Sequence, residues 1–262
     1  MDMNIEFFAA SDPGLTRDNN EDAVCFDEPT RIAVLADGMG GYNAGEVASA
    51  MATTFIREEM ARWLAEAGHL ASPREIARAL SICVSNANYA IFNAARNNNQ
   101  YTGMGTTLVT GVFNGPWLVL GHIGDSRCYL HRANELTQLT RDHSLLQEQI
   151  DAGLITLEQA SLSNQKNLVT RALGVDPDVQ LDTAHHRIYD KDCYLFCSDG
   201  LSDMVDNEQI ARVLGNSATL EQMANELIGL ANANGGVDNI SVFLARVTNN
   251  APKKAWVSRW FG

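Results

Sequence analysis

Hydrophobic positions along this chain cluster in short runs more often than they recur at helical spacing. Runs of β type occupy 5–10, 32–36, 106–113, 117–123, 128–131, 179–185, 194–198 and 239–247, mostly bounded by Gly, Asp, Asn or Pro. Between the second and third runs the period changes. Val47, Met51, Phe55, Met60 and Trp63, then Ile76, Leu80, Val84 and Ile91, follow the helical repeat and predict two consecutive helices. Two later helical stretches fall at 207–214 and 220–231.

Strands joined mainly by hairpins, with helices in pairs rather than one after each strand, predict antiparallel sheets instead of a doubly wound parallel one. The expected architecture is α+β, a four-layer α-β-β-α sandwich of two antiparallel sheets flanked by helix pairs. The segment 142–174 interrupts the strands with polar sequence, weakly helical at 145–152 and 157–160 and rich in Ser, Asn and Gln at 161–167, and reads as a mobile flap.

Composition adds limits. At 262 residues, 45% apolar and 19% charged, the chain is an ordinary globular one, and residues 1–248 are expected to form a single domain. The formal net charge of −13, with no basic stripe, makes nucleic acid and anionic membranes poor partners. The N-terminus lacks the pattern of a secretory signal, and the most apolar long stretch, 106–123, is broken by Asn114, Gly115, Pro116 and His122, which a spanning helix would not carry. A cytoplasmic monomer is expected. The five cysteines are odd in number and scattered; Cys193 and Cys197, roughly 13 Å apart along a strand, are beyond disulfide reach, so all read as reduced thiols. Residues 249–262 mix basic and aromatic side chains and read as a frayed tail, with a docking peptide as the alternative.

The candidate chemistry lies at strand ends. Asp37 and Asp199 each close an apolar run and precede glycine, Asp125 follows the run at 117–123, and Asp238 immediately precedes the last run. Singly, an Asp-Gly after a strand marks only a turn. If the four ends converge, their carboxylates repel by several kcal/mol, and the arrangement persists only with protons or cations to neutralise it. Oxygen ligands without His or Cys favour Mg²⁺ or Mn²⁺, and two such ions activate a bridging water for in-line attack at phosphorus. Arg17, ahead of Glu21-Asp22, has the planar fork that clamps a phosphate; an ion pair on a surface loop fits the local sequence equally well.

Arg17 with Glu21-Asp22, Ala36-Asp37-Gly38-Met39-Gly40-Gly41, Gly103-Met104-Gly105-Thr106-Thr107, Gly124-Asp125-Ser126-Arg127, Thr170-Arg171-Ala172-Leu173-Gly174, Ser198-Asp199-Gly200-Leu201 and Asp238-Asn239-Ile240 resemble, in order, the motifs of the metal-dependent protein phosphatases of the PPM (type 2C) family, especially the compact bacterial ones. The resemblance implies hydrolysis of phosphoserine and phosphothreonine in protein substrates, opposing a serine/threonine kinase, with two Mn²⁺ or Mg²⁺ ions and a weaker third. It implies that Asp37 bridges both metals, the Gly38 carbonyl binds one, and Asp199 and Asp238 complete the pair. Asp125 corresponds to a ligand of the third metal, Glu21 and Asp22 act through metal-bound waters, and Arg17 holds the phosphate.

One departure stands out. Animal members carry a histidine after the Asp-Gly pair as proposed general acid, and this chain has Met39. A metal-bound water or His143 could take the role, although His143 reads first as a solvated loop residue. Three rivals are weaker. Cys25 to Arg31 has the spacing of a cysteine-phosphatase loop, but two carboxylates and no glycine lie between. Gly38-Met39-Gly40-Gly41 resembles a nucleotide-binding turn without the βαβ context. A non-catalytic phosphoprotein-binding relative would lack one or more metal aspartates, and none is lost here.

Overall fold

The computed structural model describes residues 3–41, 44–161, 163 and 168–249. Apart from Asn249 the expected tail lies outside the described residues, as does most of the polar stretch 161–167. The chain begins with strands β1 (Met3–Asp12), β2 (Asp22–Asp27) and β3 (Ile32–Met39), then the long helices α1 (Ala44–Ala67) and α2 (Pro73–Asn97). A meander follows through β4 (Gly105–Thr106), β5 (Leu108–Asn114), β6 (Trp117–Ile123), β7 (Arg127–Arg132) and β8 (Glu135–Gln138). The short helices α3 (Leu145–Asp151) and α4 (Leu157–Ser161) precede β9 (Asp182–Arg187) and β10 (Cys193–Cys197). Helices α5 (Asp199–Ser202), α6 (Asn207–Leu214) and α7 (Leu220–Ala233) lead to β11 (Ile240–Asn249).

One sheet has the order β1-β11-β10-β7-β8; the other has β2-β3-β5-β6-β9, with β4 beside β3, and every pairing is antiparallel. Side-chain alternation builds the layers. On β3, Ile32, Val34 and Ala36 face α1 and α2, while Ala33 and Leu35 face the other sheet. On β10, Cys193, Leu195 and Cys197 face α6 and α7, and Tyr194 and Phe196 meet Phe113 and Phe243 between the sheets. Strands buried on both faces read as unbroken apolar runs, and three separate cores make the α-β-β-α sandwich expected from the sequence.

Helix ends follow local chemistry. The Ser72 hydroxyl accepts from the Glu75 N–H, the Glu75 carboxylate accepts from the Ser72 N–H, and Pro73 opens α2. Asp206 with Gln209, and Thr219 with Gln222, cap α6 and α7 in the same way.

Four expectations are corrected. The buried stripe of α1 is Ala44, Ala48, Ala52, Ile56, Met60 and Leu64, while Val47, Met51, Phe55 and Trp63 pack half-buried at its margin. Small residues take the first part of the helix, where its opening turn comes against Gly38 of β3. Asp37 does not end its strand, because β3 continues to Met39 by pairing with β4. β9 begins at Asp182, three residues later than the apolar pattern indicated, and Val179 packs against the helix-layer core instead. Strands β2 and β8 were absent from the pattern altogether.

Between β8 and β9 the chain leaves the sandwich and returns. The excursion closes at a neck where Ser144 pairs with Val169, the Leu145 N–H donates to the Leu168 carbonyl (2.9 Å) and the Thr170 N–H to the His143 carbonyl (2.8 Å).

Candidate metal centre and active site

Strand register brings the acids to one edge. Asp22 on β2 stands directly opposite Asp37 on β3, a cross-strand pairing of like charges that costs stability unless something is bound between or beside them. Asp199 opens α5 at the end of β10, Asp238 lies just ahead of β11, and Asp125 occupies the turn between β6 and β7. A cleft of about 420 Å³ is lined by Arg17, Glu21, Asp37, Gly38, Asp125, Asp199 and Asp238. Seven of the eight expected site residues therefore meet in one cavity, and Asp22 lies behind it.

Backbone and neutral side chains set these carboxylates in place. The Asp37 N–H donates to Thr107 Oγ1 (3.0 Å), and the Asp37 carbonyl accepts from the Thr107 N–H (2.8 Å) and Thr106 Oγ1 (2.8 Å). The first turn of α1 lies against Gly38; a Cβ there would collide with the Gly45 carbonyl, so the close approach requires glycine. The Asn239 amide accepts from the Glu21 N–H (2.7 Å) and donates to the carbonyls of Pro13 (3.0 Å) and Asn19 (2.9 Å), holding the Arg17 loop beside Asp238. Arg17 Nη2 donates to Asp238 Oδ2 at 2.7 Å from the mouth of the cleft.

The electrostatics are those of an anionic site short of cations. Burial, then the neighbouring carboxylates, pushes Asp199 up to about 6, while burial raises Asp125 to about 8 and Asp37 well above the carboxylate range. Asp22 rises to about 7 for the same first reason, against the Ser198 hydroxyl that donates to its Oδ2 (2.7 Å). Its buried Oδ1 makes no hydrogen bond of good geometry among the described residues, although the nearby Ser241 hydroxyl also favours the charged form. Arg127, a half-buried cation whose charge lowers Asp125 and Asp199, is committed to Asp142 through Nε (3.0 Å) and Nη2 (2.6 Å). No His or Cys lines the cleft among the described residues. The donor set is hard oxygen, and an orphaned buried carboxylate oxygen beside it fits divalent Mg²⁺ or Mn²⁺.

One sequence reading changes, and two rivals already judged weak lose their basis. His143 is buried, not solvated, and does not line the cleft, so it offers no proton to a leaving group there. Cys25 donates its thiol to the Thr53 carbonyl (3.6 Å) on α1, and burial pushes it up to about 11, which removes the cysteine route. Gly38 belongs to an antiparallel strand, which removes the nucleotide turn. Thr107, Ser198 and Asn239 are site residues to which sequence reasoning gave no task; the signal for Ser198 and Asn239 was adjacency to Asp199 and Asp238, and for Thr107 only its place in a quoted motif. Met39 lines the cleft.

A sandwich of two sheets whose acids gather in an all-oxygen cleft defines a metal-dependent hydrolase. Comparison with known proteins makes the class particular. The protein phosphatase 2C profile matches residues 16–244. Serine/threonine phosphatase Stp of Listeria innocua is 38% identical over 245 residues, covering 92% of this chain and 95% of its own. Serine/threonine protein phosphatase PstP of Mycobacterium tuberculosis is 40% identical over 249 residues, 94% of this chain and 45% of that longer protein. The crystal structure of the PstP catalytic domain in complex with two manganese ions superposes with a TM-score of 0.81 at 38% identity, covering 95% of this chain and all of that one. The chain belongs to the protein phosphatase 2C family and is a metal-dependent serine/threonine protein phosphatase.

Proposed function

We propose that the chain hydrolyses phosphoserine and phosphothreonine in proteins with Asp37, the Gly38 carbonyl, Asp199 and Asp238 as ligands of two Mn²⁺ or Mg²⁺ ions, Asp125 as a ligand of a third, and Arg17 as the phosphate clamp. The convergence of Asp37, Asp125, Asp199 and Asp238 in a cleft whose internal donors fall short of its acceptors carries this reading. When bound, the ions supply a water of lowered pKa and polarise the phosphoryl oxygens.

The chain's own residues do the rest. Asp37, held at both its N–H and carbonyl by Thr106 and Thr107, presents a fixed carboxylate. Glu21 lines the cleft and Asp22 supports it from behind through Ser198, so both act outside the direct ligand set. Arg17 spends one donor on Asp238 and keeps the remainder of its fork for phosphate oxygens. With Met39 in the cleft and no histidine lining it among the described residues, water protonates the leaving alkoxide.

In the same reading residues 1–248 are one catalytic unit, 142–174 a flap over the cleft and 249–262 a tail. The protein works as a cytoplasmic monomer against a serine/threonine kinase in bacterial signalling. The compact Listeria relative, matched over 95% of its length, and the absence among described residues of any helix long and apolar enough to cross a membrane support it.

The test is hydrolysis of a phosphothreonine peptide by purified protein with Mn²⁺, with Mg²⁺ and with EDTA, beside Asp37→Asn. Activity that needs metal and disappears in the variant is expected. Tight peptide binding without turnover in the unaltered protein would instead identify a binding relative.

A further inference from the structure

Three side chains at the edge of the second sheet have no part in the metal centre: His122 on β6, Asp182 at the start of β9 and His143 at the flap's entry. Their ligand atoms lie within 4.8 Å of one another, a spacing that suits a transition metal. The hydrogen bonds decide against it. The Gly124 N–H points at His143 Nδ1 (3.1 Å), so that nitrogen accepts and the ring proton sits on Nε2, facing Asp182 Oδ2 at 3.3 Å. A metal on Nε2 would force the proton onto Nδ1, against the Gly124 N–H. His122 Nε2 is likewise engaged with the Arg141 carbonyl (2.8 Å), and its ring stacks on that of His143.

The same bonds define another task. The His143 N–H donates to the Gly124 carbonyl (2.9 Å), so both polar groups of Gly124 are held by one residue. Gly124 has φ +96, and a Cβ there would strike Thr107, so the turn has little freedom of its own. On the other side of Asp125, Ser126 Oγ bonds Thr107 Oγ1 (2.7 Å), the oxygen that accepts from the Asp37 N–H. Asp125 thus lies between a residue clamped by His143 and one tied to Asp37. The His143 carbonyl also receives Thr170 from the flap's returning leg, next to Val169, which lines the cleft.

We propose that His143 is a positioning residue: by clamping Gly124 it sets the carboxylate of Asp125 relative to the Asp37 strand and joins the flap's root to the metal end. This rests on the phosphatase reading above. Two substitutions separate its contacts. Asn places an acceptor near the position of Nδ1 but does not reach Asp182; Gln reaches Asp182 with a donor but leaves Gly124 without an acceptor.

His143→Gln is expected to lower kcat on a phosphothreonine peptide about tenfold and to weaken Mn²⁺ binding, read from the free-ion EPR signal by titration, while His143→Asn stays within about threefold of the unaltered protein. In an Asp125→Ala background, His143→Gln should add no further loss, because it acts through Asp125. Asp182→Ala, at a half-exposed position where it also frees Arg171 (3.1 Å), should show a smaller loss that also vanishes in that background. Equal losses for Asn and Gln, losses that add to Asp125→Ala, or no loss in any variant would overturn the proposal. An unaltered protein inactive on the peptide with Mn²⁺ would sink the phosphatase reading, and the Mn²⁺ titrations of the Asn and Gln variants would still judge His143.

Discussion

Strand β10 has an aspartate at each end, and the fold treats the two in opposite ways. Asp192, ahead of the strand, is 1% exposed and saturated from within: Arg132 reaches its two oxygens at 2.7 Å each, and the Tyr189 N–H (2.7 Å) and Tyr194 hydroxyl (3.2 Å) complete the set. Asp199, beyond the strand, faces Asp37 and Asp238, with Arg127 already spent on Asp142. A buried acid given a full set of internal donors is a structural device, whereas a buried group of acids denied them is built for something that arrives from solution.

Exchanging the roles of these ends in experiment should separate activity from stability. Asp37→Asn should lower kcat roughly 10³-fold, the scale of losing a principal electrostatic group in an active site. It should also raise the melting temperature of metal-free protein at alkaline pH, because the amide cannot ionise where burial and the neighbouring acids oppose a charge; a fall in both would show that Asp37 is structural. Asp192→Ala should do the reverse, costing about 1–3 kcal/mol of stability by leaving the buried Tyr194 hydroxyl and the Tyr189 N–H without their acceptor, with metal-dependent turnover per folded molecule unaltered. Lost turnover at full stability would break the contrast. Arg17→Ala should raise KM for a phosphopeptide about tenfold with kcat less affected, as removal of a ground-state contact does; an unchanged KM would take Arg17 out of the phosphate site.

The gentlest of these effects is on pH. Asp199, Asp22 and Asp125 are raised from an ordinary 3.8 to about 6, 7 and 8. Each therefore contributes stability that is complete below the unfolded value and lost as pH climbs through the folded one. The melting temperature of metal-free protein should fall between about pH 4 and pH 8, and Mn²⁺ should restore most at the alkaline end. A flat profile with EDTA would mean that internal partners already neutralise the site.

How much of this could be read in advance depended on how local its cause is. The interior strands declare themselves because burial on both faces demands continuous apolar runs. Edge strands do so less well: β1 was read only over 5–10 and β9, which alternates exposed and half-buried residues, only with displaced bounds, while β2, half-buried throughout, and β8, Glu-Leu-Thr-Gln with one half-buried position, were missed. The first half of the α1 stripe is made of alanines, which a search for large apolar residues passes over. The metal acids were legible because carboxylates at ends of buried strands need an explanation. Their supports were not, since Thr107, Ser198 and Asn239 are ordinary polar residues whose tasks are set by partners 70, 176 and 218 positions away. The burial of His143 was hidden likewise, resting on His122 and Asp182, 21 and 39 residues distant in the chain.

The neck of the flap has a consequence for how such a protein can diversify. With Ser144 paired to Val169, the chain leaves and re-enters the sandwich at adjoining points. Because the ends are already joined, a shorter, longer or wholly different excursion adds only a small closure entropy and disturbs no layer of the core. The chain beside the cleft can therefore change in length and sequence without moving the strands that carry the acids.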